Sequence, residues 1–257
     1  MMEELNVALI QSHLLWENPQ ANRLMFAEKI QNLPESVDLI VLPEMFTTGF
    51  TMQPTNIDDT ECEKTLDWMQ DLAKTNQVAL TGSIVFKEKE YYYNRLFFVH
   101  PEGQYKVYNK RHTFSLAGEH KVYEPGLNKL LVDFKGFKIC PLICYDLRFP
   151  VWARNAEDYD ILLYVANWPK PRISAWDALL KARAIENMAY CIGVNRVGLD
   201  GTGHQYPGHS AVYNVLGEQK VYSEKESILT TTLSKSHIAD CRNKLKFLED
   251  RDEFNLL

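Results

Sequence analysis

Long apolar runs are absent from this 257-residue chain, and none reaches the roughly eighteen residues that a membrane-spanning helix needs. Basic runs are absent too, and a net charge of -6 argues against nucleic acid as a partner. The opening Met1-Met2-Glu3-Glu4-Leu5 carries neither a cationic nor an apolar segment, so no export signal is expected. The chain is accordingly expected in the cytoplasm. Cysteine is scarce: five residues (62, 140, 144, 191 and 241), an odd number with no C-x-x-C pair, which reads as reduced thiols rather than a disulfide framework. The seven histidines form no H-x-x-x-H or H-E-x-x-H pattern, so no metal site is expected. No repeat, low-complexity tract or linker interrupts residues 1–257, which are read as one domain.

What is present is an ordinary globular composition, 46% hydrophobic and 24% charged, in a chain long enough for one large α/β domain. Apolar runs bounded by turn residues predict strands at 5–11, 37–42, 78–86, 93–100, 104–108, 130–134, 137–143, 161–166, 190–195, 210–214, 218–222 and 228–233. Helical spacing predicts helices at 18–31, 62–76, 148–157, 173–187 and 234–247. Their apolar faces would be Leu24, Phe26 and Ile30; Leu66, Met69, Leu72 and Ala73; and Trp176, Leu179, Leu180, Ala184 and Ile185. Residues 198–208, with four glycines, read as a loop, and 248–257 as a tail.

Three strand ends carry reactive side chains. The run 137–143 stops at Cys144-Tyr145-Asp146. On that stretch alone a buried structural cysteine is the better reading, since free cysteine is among the most buried residue types. A thiol at a strand-to-helix bend would also sit beside backbone N–H groups and the positive end of a helix, which favour a thiolate and a nearby oxyanion. Pro43 ends the second strand, because proline cannot donate to a sheet ladder, and leaves Glu44 at its tip. Met45, Phe46 and Phe50 are expected to wall this carboxylate with apolar groups that suit it to proton transfer. Lys110 follows the strand 104–108 and could equally be a surface lysine. Together an acid, an amine and a thiol are the parts of nucleophilic acyl transfer: base, oxyanion partner and nucleophile. Spacing alone does not bring them together.

The local motifs go further. Leu42-Pro43-Glu44, Tyr108-Asn109-Lys110-Arg111-His112 and Cys144-Tyr145-Asp146-Leu147-Arg148-Phe149-Pro150 together resemble the nitrilase superfamily of carbon–nitrogen hydrolases, in which a Glu-Lys-Cys triad occurs in this order. The resemblance runs through Asn167-Trp168-Pro169, residues 181–187 and Gly208-His209-Ser210, nearly the whole chain. Glu44 to Phe50 and Asn167 to Arg172 are similar to the bacterial omega-amidase branch, which hydrolyses the terminal amide of 2-oxoglutaramate and related 2-oxo acid amides. The resemblance implies a four-layer αββα sandwich of two mixed sheets flanked by helices, and homodimers. It implies Glu44 as base, Cys144 as nucleophile forming a thioester, and Lys110 with the Tyr145 backbone N–H as oxyanion partners. Glu119 matches a second glutamate near the lysine. No metal or organic cofactor is called for; a small amide and water are the implied partners, with neither nucleic acid nor membrane.

Phe50, Phe114, Tyr145 and Trp168 lie beside these segments and are candidate pocket walls or plain core residues. An omega-amide of a 2-oxo acid carries a distal carboxylate, for which Arg172 is the preferred partner because only arginine offers a bidentate fork. Arg148 is read instead as a structural ion pair, and Lys170 as a further alternative. Rival readings are a carbamoylase, nitrilase or aliphatic amidase on the same triad, a Cys144 protease using His112 or His209, and a non-catalytic assembly subunit.

Overall fold

Apolar side chains on both sides of the first strand set the architecture. Leu5, Val7 and Leu9 enter one core and Ala8 and Ile10 another, so the strand is covered on both faces. The computed structural model describes residues 3–255. In chain order the elements are β1 (Glu4–Gln11), α1 (Pro19–Gln31), β2 (Leu39–Val41), α2 (Glu61–Asn76), β3 (Ala79–Glu88), β4 (Tyr91–Val99), β5 (Tyr105–Asn109), β6 (Val132–Phe134), β7 (Phe137–Ile143), α3 (Pro150–Ala153), β8 (Ile161–Val165), α4 (Ile173–Asn187), β9 (Tyr190–Val194), β10 (Val197–Leu199), β11 (Gln205–Pro207), β12 (Ser210–Tyr213), β13 (Gln219–Ser223), β14 (Ser227–Ser234) and α5 (Lys235–Leu245).

Two six-stranded sheets result, ordered β14-β1-β2-β3-β4-β5 and β13-β12-β9-β8-β7-β6. Each has three parallel strands at its centre, β1-β2-β3 and β9-β8-β7, with antiparallel neighbours outside, so both are mixed. Val7, Leu9, Val41, Leu96 and Phe98 of the first sheet share one core with Ile139, Ile143 and Val165 of the second. The first sheet's outer face packs Ile40, Leu80 and Ile84 against Phe26, Ile30, Leu66 and Met69 of α1 and α2. The second sheet is covered by Trp176, Leu180 and Ala184 of α4. Gly193 permits that approach: a Cβ there would lie 2.4 Å from Leu180 and 2.7 Å from Trp176. The layers are helix, sheet, sheet, helix, the αββα sandwich that the resemblance implied. Among the described residues no helix is long and apolar enough to cross a membrane.

Four local expectations change. Leu24 is 65% exposed and Ile185 44%, so α1 and α4 turn somewhat different faces inward. In α4 the buried positions include Arg183 and Asn187: Arg183 donates to Leu147 O at 2.7 Å, and Asn187 accepts from Asn155 N–H at 2.8 Å. The helix expected at 148–157 is only α3, because the Asn155 side chain bonds both Tyr159 N–H and Tyr159 O at 2.9 Å and diverts the chain. Residues 198–208 are not a plain loop: β10 and β11 pair there as an antiparallel ribbon. Of the tail expected at 248–257, Leu256 and Leu257 lie outside the described residues.

Candidate active site

Glu44 follows β2 and Lys110 follows β5 in one sheet, while Cys144 follows β7 in the other. The site therefore lies where strand ends of both sheets meet, as open α/β sheets favour. Both Met45, which follows the acid, and Cys144 itself hold positive φ, 42° and 45°. That conformation is costly for a side chain larger than glycine and is kept only where the surroundings impose it. At the acid, Met45 N–H donates to Ser83 Oγ at 2.9 Å. At the cysteine, buried Asp146 accepts from Ile143 N–H (3.0 Å), Tyr108 OH (2.8 Å) and His112 N–H (3.0 Å), with His112 Nδ1 2.7 Å away. Asp146 thus ties the cysteine turn to the segment that carries Lys110.

Lys110 is 1% exposed, and Glu44 and Glu119 are 0% exposed. The ammonium lies 2.9 Å from Glu44 Oε1 and 3.0 and 2.9 Å from the Glu119 oxygens. Burial alone would lower this amine's pKa, but Glu119 and Glu44 outweigh it and hold it above the ordinary lysine value. Burial holds the Glu119 carboxyl above its ordinary range, with Lys110 opposing and Glu44 assisting. Asn94 Nδ2 donates to Glu44 Oε1 at 2.7 Å, and Asn167 N–H to Glu44 Oε2 at 2.8 Å. The carboxylate is thus ringed by donors rather than apolar walls. Phe46 packs instead on Phe26 and Trp68, and Met45 beside Val85 and Tyr123; only Phe50 stays, its ring 5.1 Å from the Lys110 ammonium.

The cysteine departs from expectation. Burial pushes the Cys144 thiol well above its ordinary value, Glu44 pushes the same way, and Lys110 only partly opposes them. The turn beyond it, Cys144–Arg148, is a single 3-10 turn, too short for the expected helix dipole to count. The resting group is a thiol that needs a base. Neither His112 nor His209 lines the cavity at Cys144 or hydrogen-bonds its sulfur: His112 Nδ1 pairs with Asp146, and His209 Nδ1 lies 3.0 Å from Asp177 and 2.9 Å from Tyr222 OH. Among the described residues no cluster of histidine, cysteine and acid could hold a metal ion.

A cavity of about 460 Å³ opens onto Cys144 and Lys110. All four aromatic candidates line it: Phe50, Phe114, Tyr145 and Trp168. Arg172 lines it as well, with its guanidinium 5.1 Å from the Phe114 ring centre. Arg148 lines the mouth, exposed, 5.0 Å from the Trp168 ring centre, with no acid partner among the described residues; the expected ion pair is not there. Lys170 is exposed and donates to Gln205, away from the cavity lining. Sequence reasoning passed over Asn94, Asp146, and the wall formed by Trp16, Glu17, Met52 and Tyr206. Asn94 had left one sign, a lone amide within the largely apolar strand β4.

Comparison with known proteins completes the description. The carbon–nitrogen hydrolase family model matches residues 6–243. The omega-amidase YafV of Yersinia enterocolitica is 41% identical, over 100% of both chains. A 2-oxoglutaramate amidase of Bacillus subtilis is 30% identical over 95% of this chain and 96% of that one. Among solved structures, the CN-hydrolase superfamily protein XC1258 of Xanthomonas campestris, with an arsenic adduct in its active site, superposes with a TM-score of 0.96 at 39% identity over 100% of both chains.

Proposed function

The chain belongs to the carbon–nitrogen hydrolase family, and from that premise we propose that it is an omega-amidase hydrolysing the terminal amide of 2-oxo acid amides such as 2-oxoglutaramate and 2-oxosuccinamate. Residues 1–257 are read as one hydrolase domain forming a cytoplasmic homodimer. The observation that carries the chemistry is the buried Lys110 held between Glu44 and Glu119 where the cavity opens onto Cys144. In this reading Glu44 takes the thiol proton as Sγ bonds to the amide carbon. Lys110 and the Tyr145 backbone N–H stabilise the oxyanion, a term worth roughly 3–4 kcal/mol per donor. The tetrahedral intermediate collapses with breakage of the C–N bond, and Glu44 returns the proton to the departing ammonia. Water then enters, gives a proton to Glu44 and attacks the thioester. The C–S bond breaks, the thiol is regenerated, and the dicarboxylate leaves.

Glu119 keeps the lysine charged and in place, since a buried ammonium requires fixed partners. Phe50, Phe114, Tyr145 and Trp168 exclude water around the chain of the substrate. Arg172 is proposed to hold the distal carboxylate. Losing one charge-assisted contact costs about 1.5–3 kcal/mol, or roughly tenfold to a hundredfold in kcat/KM. Arg172→Ala should lose that much on 2-oxoglutaramate and almost nothing on butyramide. The activity itself is tested by ammonia release from 2-oxoglutaramate, set against an N-carbamoyl amine and a nitrile. Turnover of either of those in preference to the amide overturns the reading.

A further inference from the structure

Cationic side chains around the cavity divide into two kinds. Lys110 is paired twice by carboxylates and is committed to the reaction centre. Arg148 and Arg172 have no carboxylate partner among the described residues, although both line the same cavity. Each is instead laid against an aromatic wall, Arg148 on Trp168 and Arg172 on Phe114. The two walls are tied together: Trp168 Nε1 donates to Arg172 O at 2.7 Å, and Phe114 packs on Tyr145 with ring centres 4.9 Å apart. Neither guanidinium donates a hydrogen bond to another described residue, so the N–H groups of both remain for a ligand. The acids of the lining are hydrogen-bonded to neighbouring neutral groups rather than to either arginine. Glu17 accepts from Thr51 Oγ1 (2.5 Å) and Asn56 Nδ2 (2.9 Å), and Asp200 from Thr202, His204 and Tyr206.

We infer that Arg148 and Arg172 together form one anion site that binds the 2-oxo acid headgroup, taking its carboxylate and its oxo oxygen and disfavouring a 2-ammonium group in the same place. This rests on the omega-amidase reading and adds to it. Arg172 alone would recognise any distal carboxylate. A second guanidinium adds donors for the oxo lone pairs, and its charge repels the ammonium of an amino acid amide such as glutamine. Arg148, at the exposed mouth, also draws the anion in, so part of its contribution is screened by salt.

Two measurements separate this inference from the reading it rests on. The first is kcat/KM of the wild type, Arg148→Ala and Arg148→Lys with 2-oxoglutaramate, glutaramate (the same carboxylate without the oxo group), L-glutamine and butyramide. The wild type should prefer 2-oxoglutaramate to L-glutamine by at least about tenfold. Arg148→Ala should lose about tenfold on 2-oxoglutaramate, less on glutaramate and almost nothing on butyramide, and Arg148→Lys should recover only part. The second is calorimetric binding of 2-oxoglutarate and glutarate, which needs no turnover. Tighter binding of 2-oxoglutarate, lost in Arg148→Ala, supports the site even if 2-oxoglutaramate is not hydrolysed, an outcome that would overturn only the omega-amidase reading. Hydrolysis of 2-oxoglutaramate unchanged in Arg148→Ala overturns the two-arginine site and leaves that reading intact. Equal losses on butyramide, or wild-type turnover of L-glutamine matching that of 2-oxoglutaramate, overturn it as well.

Discussion

Replacing Glu44 by glutamine separates charge from shape at the proposed base. Every group that touches this carboxylate is a donor: Asn94 Nδ2 at 2.7 Å and Lys110 at 2.9 Å on one oxygen, Asn167 N–H at 2.8 Å on the other. A glutamine must turn its NH2 toward one of these, whichever way it faces. One buried donor left unpaired costs about 1–3 kcal/mol. At roughly 2–4 °C per kcal/mol for a domain near this size, Glu44→Gln should lose several degrees of Tm and stay folded. Its kcat should fall about 10²–10⁴-fold, the worth of a positioned general base. The thiol gives an independent sign. Burial raises the Cys144 pKa and the Glu44 charge raises it further, whereas Lys110 lowers it. Removing the Glu44 charge should therefore move the thiol titration down even as turnover collapses. Lys110→Met should move it up. The assay is the pH dependence of iodoacetamide labelling, read by mass spectrometry on the peptide that carries Cys144. Turnover within tenfold of wild type in Glu44→Gln refutes the base, and a titration that stays put or rises refutes the electrostatic reasoning.

Lys110→Ala should lower kcat at least about a hundredfold. It should also cost about 3–5 kcal/mol in chemical denaturation, because Glu44 and Glu119 are left buried without their cation; wild-type turnover, or stability unchanged, contradicts this. Lys110→Arg should be nearly as poor in kcat, since a planar fork cannot replace a point charge between two carboxylates. Asp146→Asn sets an NH2 against donors that the carboxylate now accepts, so kcat should fall with KM little changed, and the milder Tyr108→Phe should move kcat the same way at a cost of about 1 kcal/mol. A rise in KM alone would mean that Asp146 acts on the pocket and not on the nucleophile. Trp176→Ala, at a fully buried position between α4 and the second sheet, should cost about 3–5 kcal/mol in a denaturant melt; a loss below 1 kcal/mol would deny that α4 is held by this contact.

The strand ends were legible because each is written locally. Pro43 cannot continue a ladder, and the run of β7 breaks into Cys144-Tyr145-Asp146, so the places of Glu44 and Cys144 at strand ends follow from neighbours in sequence. What surrounds those groups was not, because it comes from distant chain. Asn94 and Asn167 reach Glu44 across 50 and 123 residues, and they replace the apolar walls that Phe46 appeared to promise. The state of the thiol misled for the same reason: backbone N–H groups nearby favour a thiolate, but burial and the Glu44 charge outweigh them. Helix faces were read to within about one position, which was enough to misplace Leu24 and Ile185. Arg183 was not foreseen as a buried residue: besides Glu186 one turn on, it donates to a backbone carbonyl, Leu147 O, that only the fold supplies. Trp16 and Glu17 come from the segment between β1 and α1 and carry no periodicity at all.

In the proposed reading, charge placement decides which end of a substrate enters. At the floor of the cavity two carboxyl groups share the single Lys110 ammonium, so a second carboxylate arriving there would meet acids whose cation is already shared. A neutral amide meets no such repulsion. Nearer the walls Arg148 and Arg172 have no carboxylate partner among the described residues, while Glu17 and Asp200 are turned onto their own hydroxyl, amide and backbone N–H donors. On the proposed roles of these residues, a molecule with an amide at one end and a carboxylate at the other should enter in one orientation, amide toward Cys144. The same asymmetry acts on the product. Hydrolysis turns the neutral end into a carboxylate beside Glu44 and Glu119, and that new charge favours departure. One arrangement of charge thus accounts for both the direction of entry and the release of the acid.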